Sequence, residues 1–364
     1  MFPIFAATNI RIFHNVLDKI RILTSQQRIE SFAQLGSYLE KHRSYLASEI
    51  QQAQHLNPWF TPKQVESALD AWQDVMQYDK LNAWLTPHLE QLEEVSSLRI
   101  GLILAGNIPL VGWHDILTCL ISGFKIEVKP SSSDAGLTLR LLEILQEIAP
   151  DFSAYIHVVE RLEEYDAIIA TGSNNSARYF EYYFREVPHI IRKNRNAVAV
   201  LHGDESQEVL HTLGKDIFTY FGLGCRNVSK LFVPVGYDFT AFFQAMESYA
   251  SIGDHHKYRN NYDYYKSIYL VNGDTHLDNG FLLLKEDPQI ASPLGVVYYQ
   301  YYEDLKALEA VLTTEKEAIQ CIVGQSLNVP SPLVPFGMAQ QPGLNDFADG
   351  VSIFEFLKSL KQGK

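Results

Sequence analysis

The chain has 364 residues, 46% of them hydrophobic and 20% charged, a balance that excludes wholesale disorder and fibrous repeats and leaves room for two domains. Its 30 basic and 43 acidic side chains give a formal charge of -13, which argues against a duplex nucleic-acid binder that must neutralise phosphates. Cys119, Cys225 and Cys321 are widely spaced with no CxxC pair, so neither a disulfide framework nor a zinc cluster is expected and a reducing cytoplasm fits best.

The first 98 residues read as helices. In "FTPKQVESALDAWQDVMQ" Thr61 is the expected N-cap, Pro62 takes the first helical position, and Val65, Leu69, Trp72 and Met76 recur at helical spacing as a packing face. From residue 99 the period changes. "RIGLILAG" is a short apolar strand, "IPLVGWHDILTCLISG" has helical length and ends at Gly123, and "FKIEVKP" alternates before Pro130. A helix in "DAGLTLRLLEILQEIAP" follows, then strands in "YIHVVE" and "YDAIIATGS", a helix in "NNSARYFEYYFREV" and a strand in "NAVAVL". Strands alternating with helices predict parallel βαβ units and a doubly wound sheet. Beyond residue 200 come a helix to about Gly222, a loop holding Cys225 and the strand "SKLFVPV". "NNYDYYKSIYLVNG" and "LGVVYYQYY" read as strands and "EDLKALEAVL" as a helix, while "NVPSPLVPFGMAQQPGLNDFADG" is a long ordered loop of the functional kind before a terminal helix. The opening "MFPIFAATNI" lacks a basic leader, and no window holds the roughly 20 apolar residues a bilayer requires, so a soluble cytoplasmic protein without a membrane span is expected.

Cys225, in "FGLGCRNVSK", differs from Cys119 in "ILTCLISG" and Cys321 in "AIQCIVG", which sit in apolar segments as buried hydrophobes do. Flanking glycines admit a sharp bend and a ligand, and Arg226 favours thiolate over thiol; Cys225 is either a nucleophile or an ordinary loop cysteine. Asn107, in "LILAGNIPLVGWHD", follows a strand end, where parallel α/β sheets bind ligands, and either caps the next helix or donates to a developing oxyanion. Gly172 and Ser173, in "IATGSNN", form either a plain turn or a helix N-terminus suited to a phosphate. Lys129, in "EVKPSSSDAG", is either a solvated strand end or a ribose or phosphate contact. Neither GxGxxG nor GxxxxGK[ST] occurs. His255 and His256 read as surface residues, and His189, in "VPHIIRKNRN", is ambiguous by itself.

Taken in order, an Asn after the first strand, Lys-Pro after the second, Gly-Ser farther on and a lone Cys after a later helix resemble the aldehyde dehydrogenase superfamily. "LILAGNIPLVGWHDIL", "KPSSSDAG", "GLGCRNVSKLFVP", "SPLGVVYY" and "FGMAQQPGLNDFADGV" resemble more closely the acyl-CoA reductase family of the LuxC type, which supplies long-chain fatty aldehyde in bacterial luminescence and also occurs in bacteria that do not glow. The resemblance runs from about residue 40 to the C-terminus. It implies an α/β, aldehyde dehydrogenase-like fold: a helical region at 1–98, a Rossmann-like cofactor domain at 99–197, a catalytic domain at 198–335 and a C-terminal loop and helix at 336–364. It implies an oxidoreductase in which Cys225 accepts the acyl group of a thioester, Asn107 and the Cys225 N–H form the oxyanion hole, and a nicotinamide cofactor reduces the acyl group to aldehyde. Lys129 would hold the adenosine ribose, and Gly172 with Ser173 the pyrophosphate.

Two departures from the resemblance carry information. His189 falls where oxidising members carry a glutamate that activates water, which fits a reductase and makes His189 the candidate acid or base. Ser131 and Ser132 replace the acidic residue of NAD-preferring relatives, so NADPH is the expected cofactor. The implied partners are an acyl-CoA or acyl-carrier thioester, an acyl-protein synthetase, and further copies of the chain in a homodimer or higher oligomer built on the Tyr-rich strands. An acylating dehydrogenase for short acyl-CoA or acyl phosphate, and a non-catalytic scaffold that grips an acyl carrier or synthetase, are the competing readings.

Overall fold

The computed structural model describes residues 22–363; the opening segment on which the leader expectation rests lies outside them. The N-terminal region is helical: α1 (Ser25–Lys41), α2 (Ala47–Leu56), α3 (Pro62–Val75), α4 (Tyr78–Leu85) and the single turn α5 (Leu89–Leu92). A capping box starts α1, with Thr24 and Gln27 exchanging side-chain and backbone hydrogen bonds. Pro62 opens α3, although the Thr61 side chain makes no capping bond, and Val65, Ala68 and Leu69 are the buried face.

Two parallel units follow. The first alternates β1 (Arg99–Ile103), α6 (Trp113–Ile121), β2 (Lys125–Lys129), α7 (Leu137–Ile148), β3 (Ile156–Val158), β4 (Ala167–Thr171), α8 (Asn174–Tyr183) and β5 (His189–Arg192). Its strands are all parallel in the order β3-β2-β1-β4-β5, with Ile103 opposite Lys129 and Thr171 opposite Arg192. This is a doubly wound sheet whose order reverses between β1 and β4. β1 and α6 are buried along nearly their whole length and need cover, which α1 to α5 with the C-terminal helix supply in one continuous core.

The second unit holds β6 (Asn196–Val200), α9 (Gln207–Phe218), β7 (Val228–Pro234), α10 (Thr240–Met246), α11 (His256–Asn272), β8 (Leu277–Asp278), β9 (Leu283–Glu286), β10 (Val296–Tyr302), α12 (Leu305–Thr314), β11 (Ile319–Val323) and β12 (Leu333–Val334); α13 (Ile353–Lys361) returns to the first core. The sheet runs β12-β11-β6-β7-β10-β9-β8 and is parallel except between β8 and β9. α9 and α10 cover one face.

"NNYDYYKSIYLVNG", expected as a strand, lies within the helix α11. Tyr258, Tyr262 and Tyr269 follow helical spacing and are buried, and Tyr262 and Tyr269 pack on Leu283, Val296 and Tyr298, so tertiary burial overrides the β preference of tyrosine. The other Tyr-rich run, β10, is an interior strand between β7 and β9 rather than an exchangeable edge. No helix among the described residues is long and apolar enough to cross a membrane.

Candidate active site

The loop that holds Cys225 joins α9 to the start of β7, so it lies at the N-terminal edge of the second sheet, and it shares a cavity with the loop after β1 and with Arg192 at the C-terminal end of β5 in the first sheet. The segment before Cys225 is unusual: Tyr220, Phe221 and Gly222 all have positive φ, at 53°, 57° and 81°. Two of these are bulky residues in a region that normally favours glycine, a strain that persists only where the surroundings enforce it. Asn227 supplies much of that enforcement. Its buried side chain donates Nδ2 to the carbonyls of Asp216, Ile217 and Thr219 at 3.1, 3.2 and 2.7 Å, and accepts the Gly224 N–H at 2.8 Å. A Cβ on residue 224 would stand 2.9 Å from that Asn227 oxygen, so the glycine is required for close approach. From α3, Gln64 accepts the Tyr220 N–H at 3.2 Å.

Asn107 does not cap α6, whose N-cap is Gly112. Instead its Nδ2 donates to the Leu223 carbonyl at 2.8 Å, joining the loop after β1 to the cysteine loop across 116 residues of sequence.

Cys225 is half-buried and lines a cavity of about 190 Å³. One part of its wall is apolar, from Ala68, Trp72 and Val75 of α3 and Ile108, Leu110 and Val111 of the loop after β1. The other is polar and includes Asp115 of α6, Arg192 of β5, Arg226 and Gln340. The C-terminal loop is pinned against it: Asp216 accepts the Gly337 and Ala339 N–H groups at 2.6 and 2.9 Å, and Arg226 donates Nε to the Ala339 carbonyl at 2.7 Å. Burial pushes the Cys225 thiol up. Arg226 pulls in the opposite direction, as expected from the sequence, but loss of hydration outweighs it. Cys119 and Cys321 are fully buried, and both thiols are pushed up, Cys321 to about 12.

The structure separates His189 from this group. It opens β5 opposite Ile168, exposed, with Nδ1 near the Phe184 and Val187 carbonyls, whereas the residue that β5 brings to the cavity from its far end is Arg192. The three-residue offset amounts to roughly 10 Å along an extended strand, which sets His189, the expected acid or base, apart from the residues that line the cavity with Cys225. Arg192 and its partner Asp115, both buried, were missed in the sequence; the available signal was an aspartate inside the apolar "GWHDILTCLISG" and an arginine closing "HIIR". His255 also departs from expectation. It is half-buried, bonds the Pro58 carbonyl at 2.9 Å and stacks between Trp59 and Phe221.

The remaining candidates lie around the crevice where the first sheet reverses order. Lys129 ends β2, and Ser173 caps α8 by accepting the Ser176 N–H at 3.2 Å. A Cβ on Gly172 would meet Ser176 at 2.8 Å, so only glycine lets the chain pass from β4 into α8 this closely. Ser131 accepts the Ser133 N–H at 3.2 Å, Ser132 is exposed, and Asp134 is turned inward, held by the Thr138 N–H and hydroxyl. Burial raises the Asp134 carboxyl to about 6.

A parallel doubly wound sheet joined to a second α/β unit that presents a loop cysteine is the architecture of aldehyde dehydrogenases. The solved structures agree. A betaine aldehyde dehydrogenase from Staphylococcus aureus in complex with NAD+ is similar with a TM-score of 0.63 at 14% identity, over 89% of this chain and 77% of that one. An NAD-dependent aldehyde dehydrogenase from Sinorhizobium meliloti gives 0.63 at 12% over 84% and 71%. Aldehyde dehydrogenase 21 from Physcomitrella patens, in complex with the reaction product succinate, gives 0.62 at 12% over 92% and 80%. The family model of acyl-CoA reductase (LuxC) matches residues 14–243, and the chain belongs to that family. It is therefore an oxidoreductase that reduces acyl-CoA to aldehyde. A comparison with curated proteins gives no match.

Proposed function

We infer that the protein reduces an acyl thioester to the aldehyde with NADPH, through an acyl group carried on Cys225. The observation that carries this reading is the junction of Cys225 with the Asn107 loop at the mouth of a cavity whose apolar wall suits an acyl chain. Cys225 attacks the thioester carbonyl as thiolate and expels the carrier thiol. The Asn107 amide and the Cys225 N–H stabilise the oxyanion, a contribution worth on the order of 100-fold or more per donor. The carboxylates that line the cavity are Asp115, with both oxygens held by Arg192, and the exposed Asp346. Neither is a free buried base for water, which favours reduction of the acyl-enzyme over its hydrolysis.

The crevice between β1 and β4 fits a nicotinamide dinucleotide: Lys129 would hold the adenosine ribose, and Gly172 with Ser173, at the α8 N-terminus, the pyrophosphate. With Ser131 and Ser132 after Lys129 and Asp134 turned inward, the segment that directly follows β2 presents no exposed carboxylate to a 2'-phosphate, which supports NADPH over NADH. When bound, the cofactor supplies the two electrons that reduce the acyl carbon. Cys225 then leaves as thiolate and frees the aldehyde.

The test follows NADPH consumption, released thiol and aldehyde with acyl-CoAs of graded length. Stoichiometric aldehyde is expected; carboxylic acid with no NADPH consumption would contradict the reading.

A further inference from the structure

One wall of the acyl cavity is a loop held at few points. Gln340, Pro342, Gly343 and Leu344, between β12 and α13, line the cavity. Among the described residues, the hydrogen bonds that join residues 335–346 to the rest of the chain gather at the two ends of this stretch. The Gly337 and Ala339 N–H groups donate to the Asp216 carboxylate, Arg226 donates to the Ala339 carbonyl, and His114 Nε2 meets the Leu344 carbonyl at 3.0 Å. The span from Gln340 to Gly343 hangs between those anchors, its own bonds running from Gln341 to Met338 and from Gly343 to Asp346. Asp216, in the last turn of α9, is a costly anchor. It is fully buried, both its oxygens face backbone N–H groups of the loop rather than a cation, and burial raises its carboxyl to about 6. An amide or an apolar side chain would be cheaper to bury, so the carboxylate points to a role beyond packing. The loop also lies close on α9 at Gly337, whose φ is 81° and where a Cβ would stand 3.0 Å from Thr212, a fit that requires glycine.

We propose that Asp216 is a positioning residue for acyl binding: by fixing the start of this loop on α9 it holds the cavity wall in place before the thioester arrives, and so sets the affinity for the acyl group. The proposal rests on Cys225 being the acyl acceptor in the same cavity. A wall that is already ordered leaves little ordering to be done on binding, whereas a loosened one lowers affinity. The Asp216 backbone carbonyl, which takes the Asn227 amide at 3.1 Å, survives any change of the side chain. The nucleophile loop therefore keeps its support while the wall loses its own, which separates binding from chemistry.

The test measures kcat and KM for an acyl-CoA that the wild type turns over, in Asp216→Asn and in Gly337→Ala. The asparagine oxygen accepts one of the two N–H groups while its own NH2 opposes the other. The alanine lifts the loop from α9 with the Asp216 charge in place. In both variants KM is expected to rise by about tenfold or more with kcat within about threefold of wild type. A structural role alone would reduce the amount of folded enzyme, lowering kcat and leaving KM unchanged. An unchanged KM in both variants, or a kcat that falls as far as KM rises, overturns the proposal while leaving the reductase reading intact. If Asp216→Asn does not fold, Gly337→Ala decides by the same numbers. If intact mass detects no acyl adduct on Cys225 of the wild type with any acyl-CoA, the reductase reading fails and this inference falls with it.

Discussion

Replacing Asn227 by alanine is predicted to dismantle the nucleophile loop from behind. The side chain is buried; its amide serves three carbonyls, two of them in the last turn of α9 where no helical partner exists, and its oxygen takes the Gly224 N–H. Two amide hydrogens are shared among the three carbonyls, so three hydrogen bonds is the fair count. At about 1–1.5 kcal/mol each, with part of the desolvation cost added, the loss is about 3–5 kcal/mol. A destabilisation of that size lowers the Tm of a chain of 364 residues by about 4–7 °C. The left-handed run at residues 220–222 can then relax, moving Cys225 away from Asn107. Scanning fluorimetry reads the stability, and single-turnover release of thiol from acyl-CoA reads the positioning, with a fall of about tenfold or more expected. Asn227→Asp should rescue neither, since it keeps the acceptor but sets a carboxylate against three carbonyls. A Tm within about 2 °C of wild type together with an unchanged acylation rate would refute the argument.

Asn107→Ala is expected to lower kcat by about 100-fold with only a small change in KM, because the donor acts on the oxyanion more than on the bound thioester; equal losses in binding and turnover would count against that role. Since burial raises the Cys225 thiol, the thiolate fraction is low at neutral pH and grows as pH rises. Alkylation of Cys225 by iodoacetamide should accordingly keep accelerating past the ordinary cysteine range of about 8.5, and a plateau below pH 7 would show an activated thiolate instead. Ser132→Asp sets a carboxylate on an exposed position beside Lys129 and should shift the kcat/KM ratio of NADPH to NADH by about tenfold or more toward NADH, whereas an unchanged ratio places the 2'-phosphate elsewhere.

Much of this architecture was legible because parallel strands buried on both faces write themselves as short apolar runs, and their C-terminal ends are where ligands sit. Asn107 and Cys225, remote in sequence, were singled out separately, and the hydrogen bond to Leu223 shows that they share one junction. What stayed hidden depended on register. Whether His189 or Arg192 reaches the cavity is decided by which end of β5 faces it, and pairing Arg192 with Thr171 fixes the answer only once the sheet exists. The burial of Asp115 and Arg192 as a pair needed the meeting of α6 with β5, which no local period encodes. Asn227 read as half of an Arg-Asn dipeptide, with no hint that it staples the end of α9. The tyrosines of α11 read as a strand because their β preference is strong, while only Tyr258, Tyr262 and Tyr269 of the run follow the helical period into the core.

The most direct test of the central claim is the intact mass of wild type and Cys225→Ala after incubation with an acyl-CoA, before and after NADPH is added. The account predicts a single acyl adduct on the wild type, none on Cys225→Ala, and discharge of the adduct as aldehyde on reduction. An adduct that persists in Cys225→Ala, or aldehyde formed by that variant at the wild-type rate, would contradict it.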